Sequence, residues 1–398
     1  MKSNYRYIVK AFMAMAVIAG TTSCDDFLDR EPMSSISPET YYSTAAQLEA
    51  NLNDEYPNVL PSFGQWTYGI FGEDKGTDNQ IEVNANDRYT QDRWKVPHSE
   101  SDNWKFERIY RINFFLSEAL PKFGEDMSGS QNTISGSVAT IKHYIGEMYF
   151  LRAYEYFKKL QLFGDFPIIN QPLADEMEAL REASKRFPRN EVARFIISDL
   201  DKAYAYMSDV DMATTRINKD VAMLVKSRVA LFEATWLQNF KGTAFVPGGE
   251  GWPGASLHNN YQYPSGNIDN EVKYFLEQAV EASKLVADKY KGSLTENTGV
   301  LQQSADDPSN PYFDMFAQED LSDVKEVLLW RQYARGLSTH NINAAAGRGN
   351  YRIGLTRGFV QNFLMKDGTP VYAHGSYADG DGYYMGDKTV ADVRVNRD

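Results

Sequence analysis

The stretch 138–169 is the longest uninterrupted helical pattern in this chain, and it constrains the fold more than any other feature. Apolar residues recur at helical spacing on two of its faces, one with Phe150 and Phe157 and the other with Tyr144 and Met148. A helix that is apolar on two faces needs neighbours on both sides. The sequence therefore predicts a central helix within a layered array of helices.

Length and charge limit what the chain can be. Its 398 residues allow one large domain or two smaller ones, with a sizeable core. The net charge is −13, which argues against nucleic-acid binding because that function requires a basic surface. Cys24 is the only cysteine, so the chain can form neither an intrachain disulfide nor a cysteine-based metal site.

Helical periodicity also appears on both sides of the central stretch, and the segments fall into pairs. Predicted helices cover 38–60, 100–120, 138–163, 189–207, 217–239 and 271–289. We expect 100–120 to pair with the central helix and 189–207 to pair with 217–239, while 271–289 begins a third pair.

The rest of the chain is irregular. The segments 61–97 and 241–267 are rich in glycine and aromatic residues and lack a helical period, so they are predicted as long loops. A short strand is predicted at 326–331. Trp104 and Trp236 instead fall within helical periods, and we expect both in the core.

The first 24 residues have the pattern of a targeting segment. A basic start precedes the apolar run 11–20, which is too short to span a membrane. Cys24 follows this region and resembles the acylated cysteine of a bacterial lipoprotein, although Thr21 stands where such proteins usually carry leucine. We expect residues 1–23 to be a lipoprotein signal peptide. The alternative is an ordinary signal peptide or an unmodified cysteine.

Two adjoining motifs in the central stretch resemble a known family. Residues 147–157 are EMYFLRAYEYF, and residues 162–167 are LFGDFP. The pattern F-L-R-A-x-x-Y-F followed by G-D-x-P resembles the signature helix of the SusD/RagB family, whose members are outer-membrane lipoproteins that capture nutrients, mostly glycans. The segment CDDFLD at 24–29 is similar to the usual start of the mature chain in this family.

The resemblance implies a mostly α fold. This is a SusD-like α-helical array with TPR-like helix pairs, together with an irregular loop-rich region that has few short strands. The resemblance covers 24–398 as one SusD-like helical domain. Residues 393–398 resemble the first part of a family motif and stop inside it, so we expect the domain to be truncated at its C-terminus, covering roughly the N-terminal two-thirds of a typical member.

The sequence contains no recognisable catalytic motif. Its five histidines are scattered without a zinc-binding spacing, and it has neither a nucleophile elbow nor a phosphate-binding glycine loop. We expect no catalytic residue, no metal and no cofactor. Carboxylates are abundant, so a surface glycoside hydrolase stays open, because its acid and base must converge in space rather than in sequence.

Aromatic residues in the predicted loops are the candidates for ligand contacts. Aromatic rings stack on the apolar faces of sugars, while amides, carboxylates and guanidinium groups bond the hydroxyls. The candidate ligand-binding residues are Trp66, Tyr68, Asp78, Asn79, Arg88, Tyr89, Trp94, Trp252, Tyr261 and Tyr263. For each tryptophan, the alternative is that the ring only packs its loop against the helices.

The resemblance implies a non-enzymatic, glycan-binding lipoprotein on the cell surface. It would be anchored through Cys24 in the outer membrane of a Gram-negative cell, facing the exterior, and would deliver oligosaccharides to a TonB-dependent transporter of the SusC type. The alternatives are RagB-like binding of peptides or glycopeptides, a surface glycoside hydrolase, and a helical scaffold without a small ligand.

Overall fold

The computed structural model describes residues 41–64, 72–81, 103–124, 126–208, 212–300, 304, 306–340, 354–364 and 368–370. The helices in these ranges are α1 (Ala45–Val59), α2 (Glu107–Phe123), α3 (Val138–Phe163), α4 (Met177–Ala183), α5 (Arg189–Tyr206), α6 (Lys219–Asn239), α7 (Ile268–Tyr290), α8 (Pro311–Met315) and α9 (Arg357–Gln361). The strands are β1 (Gln80–Ile81) and β2 (Gly354–Leu355). The predicted signal peptide and six of the predicted functional residues lie outside the described ranges: Cys24, Trp66, Tyr68, Arg88, Tyr89 and Trp94.

The predicted central helix is α3, and local signals fix both of its ends. The Ser137 side chain accepts a hydrogen bond from the backbone N–H of Thr140, which caps the first turn. Gly164 ends the helix with a φ of 68°, a conformation that favours glycine. Between these ends most side chains are buried on every face, as the two apolar stripes predict.

The described residues divide into two compact units, and the first contains most of the helices. It comprises the described parts of Met1–Tyr56, Glu107–Asp211 and Asn218–Val286. Helices α2 and α5 pack against α3, and α6 packs against α5, which confirms the predicted pairing of these helices. Gly146 lies where α3 meets the end of α5, since a Cβ there would come within 2.8 Å of the backbone nitrogen of Met207.

The arginine of the family-like motif joins three helices of this unit. Arg152 of α3 is buried, and its guanidinium donates two hydrogen bonds of 2.6 and 2.8 Å to the carboxylate of Asp199 on α5. The same guanidinium donates to the side-chain oxygen of Asn113 on α2 at 2.9 Å. Burial of a charged group requires partners of this kind, so the motif residue serves the framework of the helical array.

The second unit is less regular. It comprises the described parts of Pro57–Phe106, Met212–Ile217 and Ala287–Asp398. Strands β1 and β2 form an antiparallel two-stranded sheet, with Gln80 opposite Leu355. Thr356 caps α9 by accepting a hydrogen bond from the backbone N–H of Phe359. Taken together, the described residues form a mostly helical fold with few short strands, as the sequence predicts.

Several local predictions are wrong. The segment 326–331 is not a strand, because Val327 closes a turn onto Val324 and the N–H of Trp330 bonds the carbonyl of Thr214 instead of a sheet partner. Helix α4 lies between the predicted helices 138–163 and 189–207, in the segment 170–187 for which the sequence predicts a loop. Two helices begin later than predicted: α2 begins at Glu107 rather than near residue 100, and α1 begins at Ala45, because residues 42–44 within the predicted helix 38–60 are not helical.

The two tryptophans predicted in the core are both half-buried. Trp104 precedes α2 and contacts Phe106 edge to face, with 5.5 Å between the ring centroids. Trp236 lies on α6, and the guanidinium of Arg189 sits 4.1 Å above its ring. The indole N–H of Trp236 donates to the carbonyl of Phe245 at 3.0 Å, so the polar edge of this ring faces a loop rather than the core.

Within the described residues, no helix combines the length and the apolar character that a membrane crossing requires.

Candidate functional site

Asp165, in the G-D-x-P part of the motif, holds together two elements that follow it in the chain. One carboxylate oxygen accepts the backbone N–H of Arg189, the first residue of α5, at 2.9 Å. The other oxygen accepts the indole N–H of Trp252 at 2.7 Å. Burial raises the pKa of Asp165, and these two hydrogen bonds oppose that rise. The start of α5 and the loop after α6 are thus fixed to one carboxylate.

The loop that carries Trp252 is organised by a row of aromatic rings. The Trp252 side chain is only 5% exposed and stacks on His258, with 5.9 Å between the ring centroids. Tyr261 lies 5.6 Å from Trp252, and Tyr263 lies 5.2 Å from Tyr261. The row therefore runs from a buried tryptophan to two half-buried tyrosines. The geometry gives Trp252 a packing contact, whereas its predicted ligand contact stays untested.

A pocket of about 350 Å³ lies in this loop, and two of the predicted ligand residues line it. We call it the loop pocket. It is lined by Lys241, Gly242, Val246, Pro247, Gly248, Gly249, Tyr261, Gln262, Tyr263, Gly266, Asn267 and Ile268. Gly242, Gly248 and Gly266 have positive φ and would place no Cβ against a neighbouring atom, so the backbone on this rim is open to approach.

Hydrogen bonds from their hydroxyl groups hold the two tyrosines of the loop pocket in place. The Tyr261 hydroxyl donates to the side-chain oxygen of Asn190 at 3.0 Å, and the Tyr263 hydroxyl donates to the carbonyl of Pro247 at 2.6 Å. Burial raises the pKa of both hydroxyls, so they remain donors at neutral pH. The rings are held in place while Gln262 adds an exposed amide. Fixed aromatic rings beside an amide are suited to a sugar.

The two other predicted residues that the structure describes belong to the second unit. The carbonyl oxygens of Asp78 and Asn79 accept hydrogen bonds from the side chain and the backbone N–H of Thr356, respectively. The backbone N–H of Asn79 donates to the Thr77 hydroxyl at 3.1 Å. These contacts secure the edge of the small sheet. The predicted ligand residues that the structure describes are therefore divided between the two units.

Sequence reasoning missed an aromatic and basic cluster in the second unit. We call it the Tyr333 cluster, and its members are Ser62, Phe63, Trp330, Arg331, Tyr333 and His340. The Tyr333 hydroxyl donates to the carbonyl of Phe63 at 3.1 Å and accepts the backbone N–H of Phe63 at 3.2 Å. The ring of His340 meets Tyr333 edge to face at 5.2 Å. The signal that could have found this cluster is the pattern Trp-Arg-x-Tyr at 330–333.

No group of three or more histidine, cysteine, aspartate or glutamate side chains in the described part of the chain is arranged to hold a metal ion. His143, for example, is buried on α3, and its Nε2 lies 3.2 Å from the carboxylate of Glu147. The same carboxylate accepts a hydrogen bond from the Tyr56 hydroxyl, with 2.6 Å between the two oxygens. This histidine therefore belongs to the packing of α3 against α1.

Residues 26–231 match a family model described as SusD-like, starch-binding associating with outer membrane. The match covers more than half of the chain and includes the whole of α3. The chain belongs to the SusD-like family. Among similar sequences are two SusD-like proteins of Formosa agariphila. SusD-like protein P2 is 25% identical over 253 residues, an alignment that covers 61% of this chain and 46% of P2. SusD-like protein P25 is 25% identical over 233 residues, an alignment that covers 54% of this chain and 41% of P25.

A solved SusD-like protein from Bacteroides fragilis has the same fold. It aligns with a TM-score of 0.53 and 19% sequence identity, over 86% of this SusD-like chain and 57% of the solved chain. The resemblance read from the α3 motif is therefore confirmed at the level of family and fold. The SusD-like chain spans about half the length of the curated relatives that it matches.

Proposed function

We propose that this SusD-like protein binds glycans at the cell surface and does not cleave them. The observation that carries the proposal is the match of residues 26–231 to a family of starch-binding proteins that associate with the outer membrane. The loop pocket supports it with half-buried tyrosine rings, an amide and an open glycine rim. A glycan presents alternating apolar ring faces and hydroxyl edges, and this combination of groups can contact both.

The route of the bound glycan is part of the proposal. Cys24 is the site of lipidation after removal of residues 1–23, and the domain that begins there is held at the outer face of the outer membrane. The glycan is passed to a TonB-dependent transporter of the SusC type. The family description supports the association with the outer membrane. The lipid anchor rests on the sequence pattern, and the transporter rests on the resemblance to SusD/RagB proteins.

Affinity electrophoresis of the full chain tests the proposed binding. The gels contain amylopectin, xylan, laminarin or pectin, and a bound glycan retards the protein. We expect retardation by at least one of them, with no release of reducing ends during incubation. Tyr263→Ala should weaken that binding about tenfold or more, since aromatic residues at the centre of a site commonly dominate affinity. Tyr110→Ala is the matched control, because this tyrosine is exposed on α2 and does not line the loop pocket.

Two results would contradict the proposal. If none of the glycans, neutral or acidic, retards the chain while its melting curve shows a folded protein, then glycan binding is wrong. If a glycan is bound and reducing ends accumulate, the protein is a hydrolase. Equal loss of affinity in Tyr263→Ala and Tyr110→Ala would leave glycan binding standing but would remove the loop pocket as its site.

A further inference from the structure

A long basic segment stands out in this acidic chain. Residues 327–366 contain no aspartate or glutamate, although the net charge of the whole chain is −13. The cationic residues of the segment are Arg331, Arg335, Arg348, Arg352, Arg357 and Lys366. A local concentration of positive charge attracts anions, while the remaining acidic surface repels them. Arg331 and Arg335 lie in the described part of this segment, on either side of Tyr333 in the sequence. They are therefore a candidate anion site.

Hydrogen bonds to two other segments hold this part of the chain in place. Tyr333 is fixed by its two bonds to the backbone of Phe63, and Arg331 donates to the hydroxyl of Ser62. The indole N–H of Trp330 donates to the Thr214 hydroxyl at 2.8 Å. All of these residues belong to the second unit. A site whose side chains are already ordered loses less entropy when a ligand binds.

Arg331 and Arg335 are exposed, and among the described residues neither forms an ion pair with a carboxylate. The guanidinium of Arg331 lies 5.6 Å from the centre of the Tyr333 ring, so a charged donor and an aromatic ring occur side by side. Arg335 lies in a turn that follows Tyr333 in the chain. A hydrogen bond of 3.0 Å from the N–H of Ala334 to the carbonyl of Ser338 closes this turn. Guanidinium groups bind carboxylates and sulfates through paired hydrogen bonds.

We propose that the Tyr333 cluster, together with Arg335, binds an acidic saccharide. In this assignment carboxylate or sulfate groups of the glycan accept hydrogen bonds from Arg331 and from Arg335, and a sugar ring packs on Tyr333. The proposal rests on the proposed function and adds a second site to the loop pocket, a site for glycans with uronate or sulfate groups. A neutral glycan would leave two exposed guanidinium groups without a matching anion and would gain nothing from the local charge.

Paired probes test this assignment on the full chain by affinity electrophoresis. Polygalacturonate is compared with highly methyl-esterified pectin, and dextran sulfate with dextran, because each pair differs mainly in charge. We expect at least one acidic probe to bind about tenfold or more tightly than its neutral counterpart, with the preference reduced by added salt. The double substitution Arg331→Gln/Arg335→Gln should abolish most of that preference.

A matched control removes two positive charges elsewhere. Arg181→Gln/Lys185→Gln changes the net charge by the same amount at exposed positions on and next to α4, and it should keep the preference. Arg335→Gln alone serves as a second variant, because Arg331 also bonds Ser62 and its loss can disturb the segment. Melting curves of all variants show whether a loss of binding reflects unfolding.

The outcomes separate this inference from the proposed function. Binding of neutral and acidic probes with equal affinity overturns the acidic assignment and leaves glycan binding intact. The acidic assignment is also wrong if the control Arg181→Gln/Lys185→Gln loses as much affinity for the acidic probe as Arg331→Gln/Arg335→Gln does. It is equally wrong if Arg335→Gln and Arg331→Gln/Arg335→Gln both keep the preference for acidic over neutral probes. Failure of every probe and of the neutral glycans above overturns both proposals together.

Discussion

Arg189 and Glu233 form a buried ion pair in which the guanidinium of one bonds both carboxylate oxygens of the other. The Nε of Arg189 lies 3.0 and 3.2 Å from the two oxygens, and Nη2 lies 2.9 Å from one of them. The pair joins the first residue of α5 to the middle of α6, and both side chains are almost fully buried. The helical array is thus held together by charge pairs as well as by apolar packing.

Glu233→Ala should be strongly destabilising. It would leave the guanidinium of Arg189 buried without its counter-charge, and loss of one partner of such a pair costs about 3–5 kcal/mol. Urea unfolding followed by circular dichroism measures the free energy of unfolding. Glu250→Ala is the control, because Glu250 is exposed and should change that free energy by less than about 0.5 kcal/mol. A cost below about 1 kcal/mol for Glu233→Ala would show that the ion pair does not support the array.

Glu271→Gln should change how stability depends on pH. Burial alone would raise the pKa of Glu271, but hydrogen bonds from Arg194, Asn190 and Ser265, together with the charge of Arg194, lower it below the ordinary 4.5. A carboxylate whose pKa is lower in the folded state stabilises the fold above the unfolded pKa, and that contribution is lost as the pH falls through the folded pKa.

We therefore expect Glu271→Gln to lower the free energy of unfolding by about 1–3 kcal/mol at pH 7. The difference from the unmodified chain should shrink as the pH falls below about 4.5, the ordinary pKa value of this carboxylate. Urea unfolding at a series of pH values checks this, with Glu277→Gln on the exposed side of the same helix as control. A difference that stays constant over the whole pH range would contradict the role of the Glu271 charge.

Trp252→Phe should lower stability without lowering glycan affinity. The substitution keeps an aromatic ring but removes the N–H that donates to Asp165, so a buried carboxylate loses one of its hydrogen bonds. The expected cost is about 1–3 kcal/mol in the free energy of unfolding. Thermal melts and affinity electrophoresis are carried out on the same preparation. Weakened binding at unchanged stability would instead support the predicted ligand contact of Trp252.

Cys24→Ala should release the protein from the membrane fraction. Cys24 is the only cysteine, and stable anchoring requires acyl chains attached to it. Fractionation of cells that lack the proposed SusC-type transporter, followed by immunoblotting, measures the distribution between membrane and soluble fractions. Ser23→Ala is the adjacent control and should remain with the membrane. Retention of Cys24→Ala in the outer membrane would exclude this cysteine as the anchor.

The sequence predicted best those features that depend on neighbouring residues. The ends of α3 were predictable because Ser137 and Gly164 are local signals, and its burial followed from apolar residues on two faces. The segment 326–331 was mistaken for a strand because its residues suit a strand, while the partner of Trp330 is a single residue, Thr214, far away in the chain.

The candidate sites were only partly predictable for the same reason. Tyr261 and Tyr263 were predicted from their loop, and they do line a pocket within that loop. The Tyr333 cluster was missed because Tyr333 depends on Phe63, which is 270 residues earlier in the chain. The burial of Trp252 was equally hidden, since it depends on a carboxylate 87 residues away.

The double role of Asp165 suggests where this protein can be redesigned. Its carboxylate fixes the start of α5 and the indole of Trp252, so the loop that contains the pocket is tied to the helical framework through Trp252. Gly242, Gly248 and Gly266 on the rim of the pocket have positive φ, a conformation that favours glycine, so these three residues should be retained. A library that varies Lys241 and Gln262, which are exposed on the rim, while retaining Asp165, Trp252 and these glycines could therefore select new carbohydrate specificities on an unchanged helical scaffold.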